Sequence, residues 1–307
     1  MAILNGIIRK MKGSAGNLTF KQVNGQTIVS EKVTLVKNPR SAAQMAIRTK
    51  LTNITQVYKG IRPLLNCGFE NKPLGLSDYN MFVKVNMHHE PVYLTKQQVA
   101  GGACLAAPYQ ITQGSLPAIV ITGEGNTAVT DIFLGGENLA ASTTVAAFSK
   151  AVVDNNPDYR YGDQISYFIV RQKVNEATKI PYCQFEGHAV VLDAANEEKL
   201  WSVVPKNGFF SQDGCIGKYG NDGDCAFAWV HSRKSYGKTI VSSQELIASN
   251  KILPEYQGNL ALSLATSSYG VGDSAFLTPS TESSVGNTSG TIPGGGSSTT
   301  PGGGDSL

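Results

Sequence analysis

Gln164-Ile165-Ser166-Tyr167-Phe168-Ile169-Val170 is the stretch on which the fold class turns. Five of its seven residues are aromatic or β-branched, the types that fill a pleated, buried surface, and Gly162-Asp163 turns the chain into it. Ala226-Phe227-Ala228-Trp229-Val230 has the same character, and Thr239-Ile240-Val241-Ser242 can pair with it across a polar loop at Ser232–Lys238. Val190-Val191-Leu192 reads as another strand. Upstream, Tyr109–Gln113 and Ala118–Thr122 read as strands separated by Gly114 and Pro117, with Ile132-Phe133-Leu134 as a third. One helix is inserted: Ser142 as cap, then Val145, Ala146, Phe148, Ala151 and Val152, stopped by Asn155-Asn156-Pro157. This spacing predicts an α+β, mainly β fold whose body is built of β-sandwich (Ig-like) modules with one inserted helix.

Before that body the pattern differs. Leu18–Val23 and Gln26–Ser30 flank Asn24-Gly25, and Asn-Gly between β-prone runs is the strongest short hairpin signal because a type I′ turn needs φ > 0 at both central residues. A helix then starts near Asn38 or Ser41, with Pro39 suited to a first turn and Ser41 and Gln44 at capping-box spacing. Ile47, Leu51, Ile54, Tyr58 and Ile61 follow in steps of four and three, a single stripe that faces a core or a partner helix, and Pro63 ends the element. A second, shorter helix is expected from Ser77 to Met87. At the other end, residues 280–307 are nearly all Ser, Thr, Gly and Pro, a composition that cannot bury enough surface to offset its ordering entropy. The expected organisation is a basic hairpin and helical segment at 1–105, a β-rich domain with the inserted helix at 106–205, a β-rich extension at 206–266 and a flexible tail at 267–307.

Composition narrows function more by exclusion than by assignment. Charged residues are only 16% of the 307, and the formal net charge of +3 conceals an asymmetry. Residues 1–72 hold twelve Lys or Arg against Glu31 and Glu70, a balance of +10, so the remainder carries −7. Opposite charge in two parts of one chain favours contact between copies or with a polyanion. Cys67, Cys104, Cys183, Cys215 and Cys225 show no C-x-x-C spacing, so reduced, buried thiols are expected, with Cys215 and Cys225 as the one pair a hairpin could bring together. The opening residues lack a signal-peptide pattern and no segment reaches the ~18 apolar residues of a membrane span, so synthesis in a cytoplasm without membrane insertion is expected.

Reactive motifs are missing from the sequence. There is no Gly-x-Ser-x-Gly elbow and no P-loop. His88-His89-Glu90 gathers ligand-type residues, but adjacent helical positions project about 100° apart and cannot share an ion. His188 and His231 read as isolated structural residues. Gly220–Asp224 has Asp and Asn at Ca²⁺-loop positions without the distal Glu, so it reads as a turn. The sequence therefore calls for no catalytic residue, no metal and no cofactor. Non-specific contact of the basic stretch with a polyanion stays open. A carbohydrate- or surface-binding module would need an aromatic platform, for which Trp201 or Trp229 beside a Tyr are candidates against core packing.

The block Lys37-Asn38-Pro39-Arg40-Ser41-Ala42-Ala43-Gln44, followed by Arg48, Arg62-Pro63-Leu64-Leu65 and Gly68-Phe69, resembles a domain family of unknown function widespread in Bacteroidota and their phages. Asn155-Asn156, Gly162-Asp163-Gln164, Trp229–Arg233 and Val241–Gln244 resemble that family's β-rich half. The build is also similar to structural proteins of crAss-like phages. That resemblance implies a non-enzymatic virion protein (head decoration, fibre, or head–tail component) made in a bacterial host cytoplasm. Its partners would be other virion proteins and further copies of itself. On that reading Ile47, Leu51, Ile54, Tyr58 and Ile61 form a subunit-docking helix. Arg9, Lys10, Lys12, Lys37, Arg40, Arg48 and Lys50 form the basic contact surface.

Overall fold

The apolar stretches Tyr167–Val170 and Cys225–Val230 become the middle of the main sheet because strands with apolar residues on both faces bury both. In the computed structural model the described residues are 2–4, 12–23, 26–33, 41–65, 67–73, 75–89 and 91–270. The expected Asn24-Gly25 turn, Asn38-Pro39, Glu90 and the 271–307 stretch lie outside them.

The chain begins with strands β1 (Ala2–Leu4), β2 (Gly13–Ala15), β3 (Leu18–Val23) and β4 (Gln26–Glu31). Helices α1 (Ala42–Ile61), α2 (Asp78–Asn86) and α3 (Lys96–Ala100) follow, then strands β5 (Gln110–Thr112), β6 (Ile121–Thr122) and β7 (Val129–Phe133). Helix α4 (Val145–Asn155) precedes the long strands β8 (Gln164–Val174) and β9 (Pro181–Val191) and the one-turn helix α5 (Leu200–Val203). The last third holds β10 (Phe210–Gln212), β11 (Cys215–Gly217), β12 (Cys225–Ser235), β13 (Lys238–Val241), β14 (Gln244–Glu245), β15 (Ile247–Ser249) and helix α6 (Gly258–Ser268).

The fold is α+β with antiparallel strand pairing throughout the named sheets. The main sheet runs β13-β12-β8-β9, with β15 also paired to β12. A smaller sheet runs β10-β11-β7-β6, the N-terminal sheet runs β1-β4-β3-β2, and β14 pairs with β5. Alternate residues of the main sheet enter different cores. Phe168, Val170, Ala226, Ala228 and Val230 meet Ile54, Val57 and Ile61 of α1 and Phe82 of α2. Ile165, Tyr167, Ile169, Cys225, Phe227 and Trp229 meet Phe148 of α4 and Ile132 and Ile216 of the smaller sheet. The main sheet is thus covered by helices on one side and by a sheet with a helix on the other. That departs from an Ig-like sandwich, in which each sheet keeps a solvated face.

Local signals explain most element ends. Ser41 Oγ accepts from the Gln44 N–H at 3.4 Å and caps α1 as its spacing predicts; Ser77 caps α2 in the same way. Thr144, not Ser142, caps α4, accepting from the Ala147 N–H at 3.2 Å. The predicted loop at Ser232–Lys238 is mostly strand, since β12 runs to Ser235 and pairs it with Lys238. Helix α6 crosses the expected start of the tail at 267. Its inward residues are Ala261, Leu262, Ala265 and Thr266, of which only Leu262 is a large apolar side chain, so the periodic signal is faint.

Two close approaches lock helix to sheet. A Cβ on Gly60 would stand 2.2 Å from the Phe185 ring, so α1 meets β9 with no room for a side chain. Buried Asn53 of α1 donates to Leu105 O and to Tyr109 Oη, at 3.1 and 3.0 Å, and accepts from the Leu105 N–H at 2.8 Å. The expected division at 105/106 therefore falls inside a continuous core stretch, Ala103–Ala107, that packs with α1 and the main sheet.

Candidate functional site

The expected docking stripe is mostly internal. Ile54, Tyr58 and Ile61 belong to the core that α1 shares with the main sheet. Leu51 is half-buried and Ile47 is 58% exposed, so only the first turns of the helix offer apolar surface. Of the basic contact residues, Lys12 and Arg48 are exposed and Lys50 is half-buried, its pKa lowered by that burial. Arg9, Lys10, Lys37 and Arg40 lie outside the described residues.

The N-terminal sheet stands apart from both cores: none of its described side chains belongs to either. Residues directly opposite in an antiparallel pair share a face, as do i and i+2 along a strand. The register Ala15↔Leu18↔Glu31, Phe20↔Val29 and Gln22↔Thr27 therefore gathers Ala15, Leu18, Phe20 and Val29 on one face together with Gln22, Thr27 and Glu31. Leu18 there is 46% exposed. Lys21 lies on the opposite face, paired with Ile28, and Lys12, Lys21 and Lys32 are all exposed.

Charge buried in the body is neutralised by local partners. Asp163 accepts from Arg233 Nε and Nη2, both at 2.7 Å, lies 2.8 Å from His231 Nε2, and accepts the Arg160 N–H at 2.9 Å. Burial pushes the Asp163 carboxyl up, but the hydrogen bonds from Arg233 and His231 outweigh it and hold the group down at about 2. Tyr159 stacks on the His231 ring at 4.3 Å. His231 is thus the buried floor of a small cleft of 160 Å³ that also includes Pro117, Asp131, Asn156 and Asp158.

A second cluster lies at the other end of that sheet face. Lys218, fully buried, reaches Asp222 at 3.0 Å, and Asp222 also meets Arg171 and Asn207, each at 3.3 Å. Arg171 pairs in turn with Glu186. Burial raises the Asp222 carboxyl, and the hydrogen bonds and charges of Lys218, Asn207 and Arg171 together more than reverse that, leaving it lowered. The Gly220–Asp224 turn read from the sequence thus delivers a carboxylate inward to a lysine.

Lys206-Asn207 and Lys218-Tyr219 run side by side, joined by Tyr219 N–H to Asn207 O at 2.9 Å. Asn207 and Lys218 point into the buried cluster, while Lys206 and Tyr219 point outward. There the Lys206 ammonium sits 4.0 Å from the Tyr219 ring centre, 5.2 Å from Trp201 and 5.4 Å from Phe210. Trp229 by contrast is fully buried, with its indole N–H donating to Gly208 O at 2.7 Å.

The sequence reading missed the partners of His231 and Lys218. Asp163 and His231 are 68 positions apart, and only the register that pairs β8 with β12 brings those neighbourhoods together. All five cysteines are free, Cys215 and Cys225 included. Among the described residues no group of three or more His, Cys, Asp or Glu could hold a metal ion, and no helix is long and apolar enough to cross a membrane. Comparison with family models, curated proteins and solved structures returned no match, so the reading of function rests on the geometry above.

Proposed function

We propose that the chain is a non-enzymatic structural protein of a phage particle, held there by protein–protein contacts made through its N-terminal sheet. One observation carries this reading. None of the described side chains of the sheet β1–β4 belongs to either core, yet one face gathers Ala15, Leu18, Phe20 and Val29, beside Gln22, Thr27 and Glu31, within a stretch of +10 charge. A sheet with an apolar face gains stability by acquiring a second layer, and a basic rim selects an acidic surface to supply it. Such a contact weakens with salt, because exposed charges are screened beyond about 8 Å at physiological ionic strength.

In the body, the buried charges are met internally. Asp163 with His231 and Arg233, and Lys218 with Asp222 and Arg171, commit their charges to one another inside a doubly covered sheet. Mass spectrometry of purified particles tests the proposal. Recovery of the chain in stoichiometric amount supports it; recovery only from soluble host cytosol refutes it.

A second reading, a surface- or carbohydrate-binding module, is favoured by the half-buried Trp201 beside Phe210 and Tyr219. Titration with a panel of glycans, followed by tryptophan fluorescence, separates the two: saturable quenching lost in Trp201→Ala would favour the module.

A further inference from the structure

Tyr236 is out of place for any purpose internal to the fold. Ser235 pairs with Lys238, so Tyr236-Gly237 alone connect β12 to β13. Two-residue hairpin loops of this kind need positive φ at both positions and strongly prefer Asn-Gly. Gly237 has φ 74° and Tyr236 has φ 48°, the left-handed region that a side chain as bulky as tyrosine disfavours. Tyr236 is 104% exposed, so no packing offsets that strain. Exposed Lys234 and Lys238 flank it. A strained residue that the fold does not use is a reason to look for an external contact.

The cleft floored by His231 has the complementary chemistry. Its 160 Å³ is close to the ~150 Å³ of a cavity that holds one benzene ring. Pro117, Pro157 and Tyr159 give it flat apolar walls, and Asp131 and Asp158 stand exposed on its rim. Burial first, and then the nearby Asp131, Asp158 and Asp163 carboxylates, hold the Tyr159 hydroxyl far above its usual range. The two larger clefts, of 410 and 370 Å³, are lined by Lys84 and by Arg233 with Lys234, and would repel a lysine-flanked tip.

Tip and cleft cannot meet within one chain. His231 and Tyr236 lie on one extended strand, five residues and roughly 16 Å apart at 3.3 Å per residue. We propose that the β12–β13 tip of one copy seats in the His231 cleft of a second copy. The Tyr236 ring lies between Pro117 and Pro157, and Lys234 and Lys238 face Asp131 and Asp158. This deepens the assembly reading and rests on it by supplying the contact between copies.

The test is sedimentation of the full-length chain over a range of concentrations. The wild type is expected to self-associate, and Tyr236→Asn to associate at least tenfold more weakly while melting no lower than wild type, since Asn suits the turn. A tip-reversed chain (Lys234→Glu, Lys238→Glu) and a cleft-reversed chain (Asp131→Lys, Asp158→Lys) should each be monomeric alone and associate when mixed. A monomeric wild type, unchanged association of Tyr236→Asn, or failure of the two folded reversed chains to associate on mixing overturns the contact. Particle incorporation without self-association removes this contact and leaves the assembly reading standing. Self-association restored by the mixed chains, with none of the protein in particles, supports the contact and removes the particle reading.

Discussion

Asp163→Asn is the perturbation whose size the structure sets most directly. The wild-type carboxylate is 2% exposed and takes hydrogen bonds from Arg233, His231 and the Arg160 N–H. Lowering that carboxyl from 3.8 to about 2 stabilises the folded chain by about 2–3 kcal/mol at neutral pH. The amide keeps the shape but leaves Arg233 and His231 without an anion, and breaking a buried pair in this way costs about 3–5 kcal/mol. Because the folded pKa is depressed, the carboxylate's contribution is present above the unfolded value and is lost as pH falls through about 2. Urea unfolding of wild type and Asp163→Asn at pH 7, 5, 4 and 3 should therefore show a gap of about 3–5 kcal/mol at pH 7 that narrows below pH 4. A gap under about 1 kcal/mol at pH 7, or one of constant size down to pH 3, refutes the role given to this cluster.

Four other outcomes are expected. Ile54→Ala should cost about 2–5 kcal/mol in urea unfolding, whereas Ile47→Ala should stay within about 0.5 kcal/mol, because only the first is core. Trp229→Ala should lose about 3–5 kcal/mol, and Lys206→Met, which removes an ammonium over three rings, about 1 kcal/mol or less by the same assay. Gly60→Ala should destabilise by about 1–3 kcal/mol, since its new methyl meets the Phe185 ring, and the thermal midpoint will report it. Adding a reductant should leave that midpoint unchanged, as all five cysteines are free.

The strands at 164–170 and 226–230 were legible because Tyr167–Val170 and Ala226–Val230 are unbroken apolar runs rich in aromatic and β-branched residues. The mixed α+β class follows, while the Ig-like sandwich is not what covers these strands: apolar residues on both faces need cover on both, and helices supply it on one side. Helix α1 and its cap were legible from Ser41, Gln44 and a stripe of large residues. The stripe's destination was not, because periodicity specifies an apolar face and leaves its partner open. Helix α6 escaped notice for the opposite reason, its inward face being Ala261, Leu262, Ala265 and Thr266, of which only Leu262 is a large apolar side chain. Most of the ionic contacts are non-local: Asp163 meets residues 68 and 70 positions away and Arg171 meets Asp222 51 positions away, whereas Lys218 and Asp222 are only four residues apart. Tyr236 was visible only as one residue of a polar loop until the pairing of Ser235 with Lys238 reduced that loop to two residues.

Attachment through the N-terminal sheet is tested most directly by removing residues 1–40. That cut spares Ser41, the cap of α1, and none of the described side chains it takes belongs to either core. Particles produced with the full-length or the shortened chain are purified and their content of it quantified by mass spectrometry, with circular dichroism confirming that the shortened body folds. Incorporation of the full-length chain and loss of the folded, shortened one is the expected result. Equal incorporation of both, or absence of the full-length chain from particles, contradicts it.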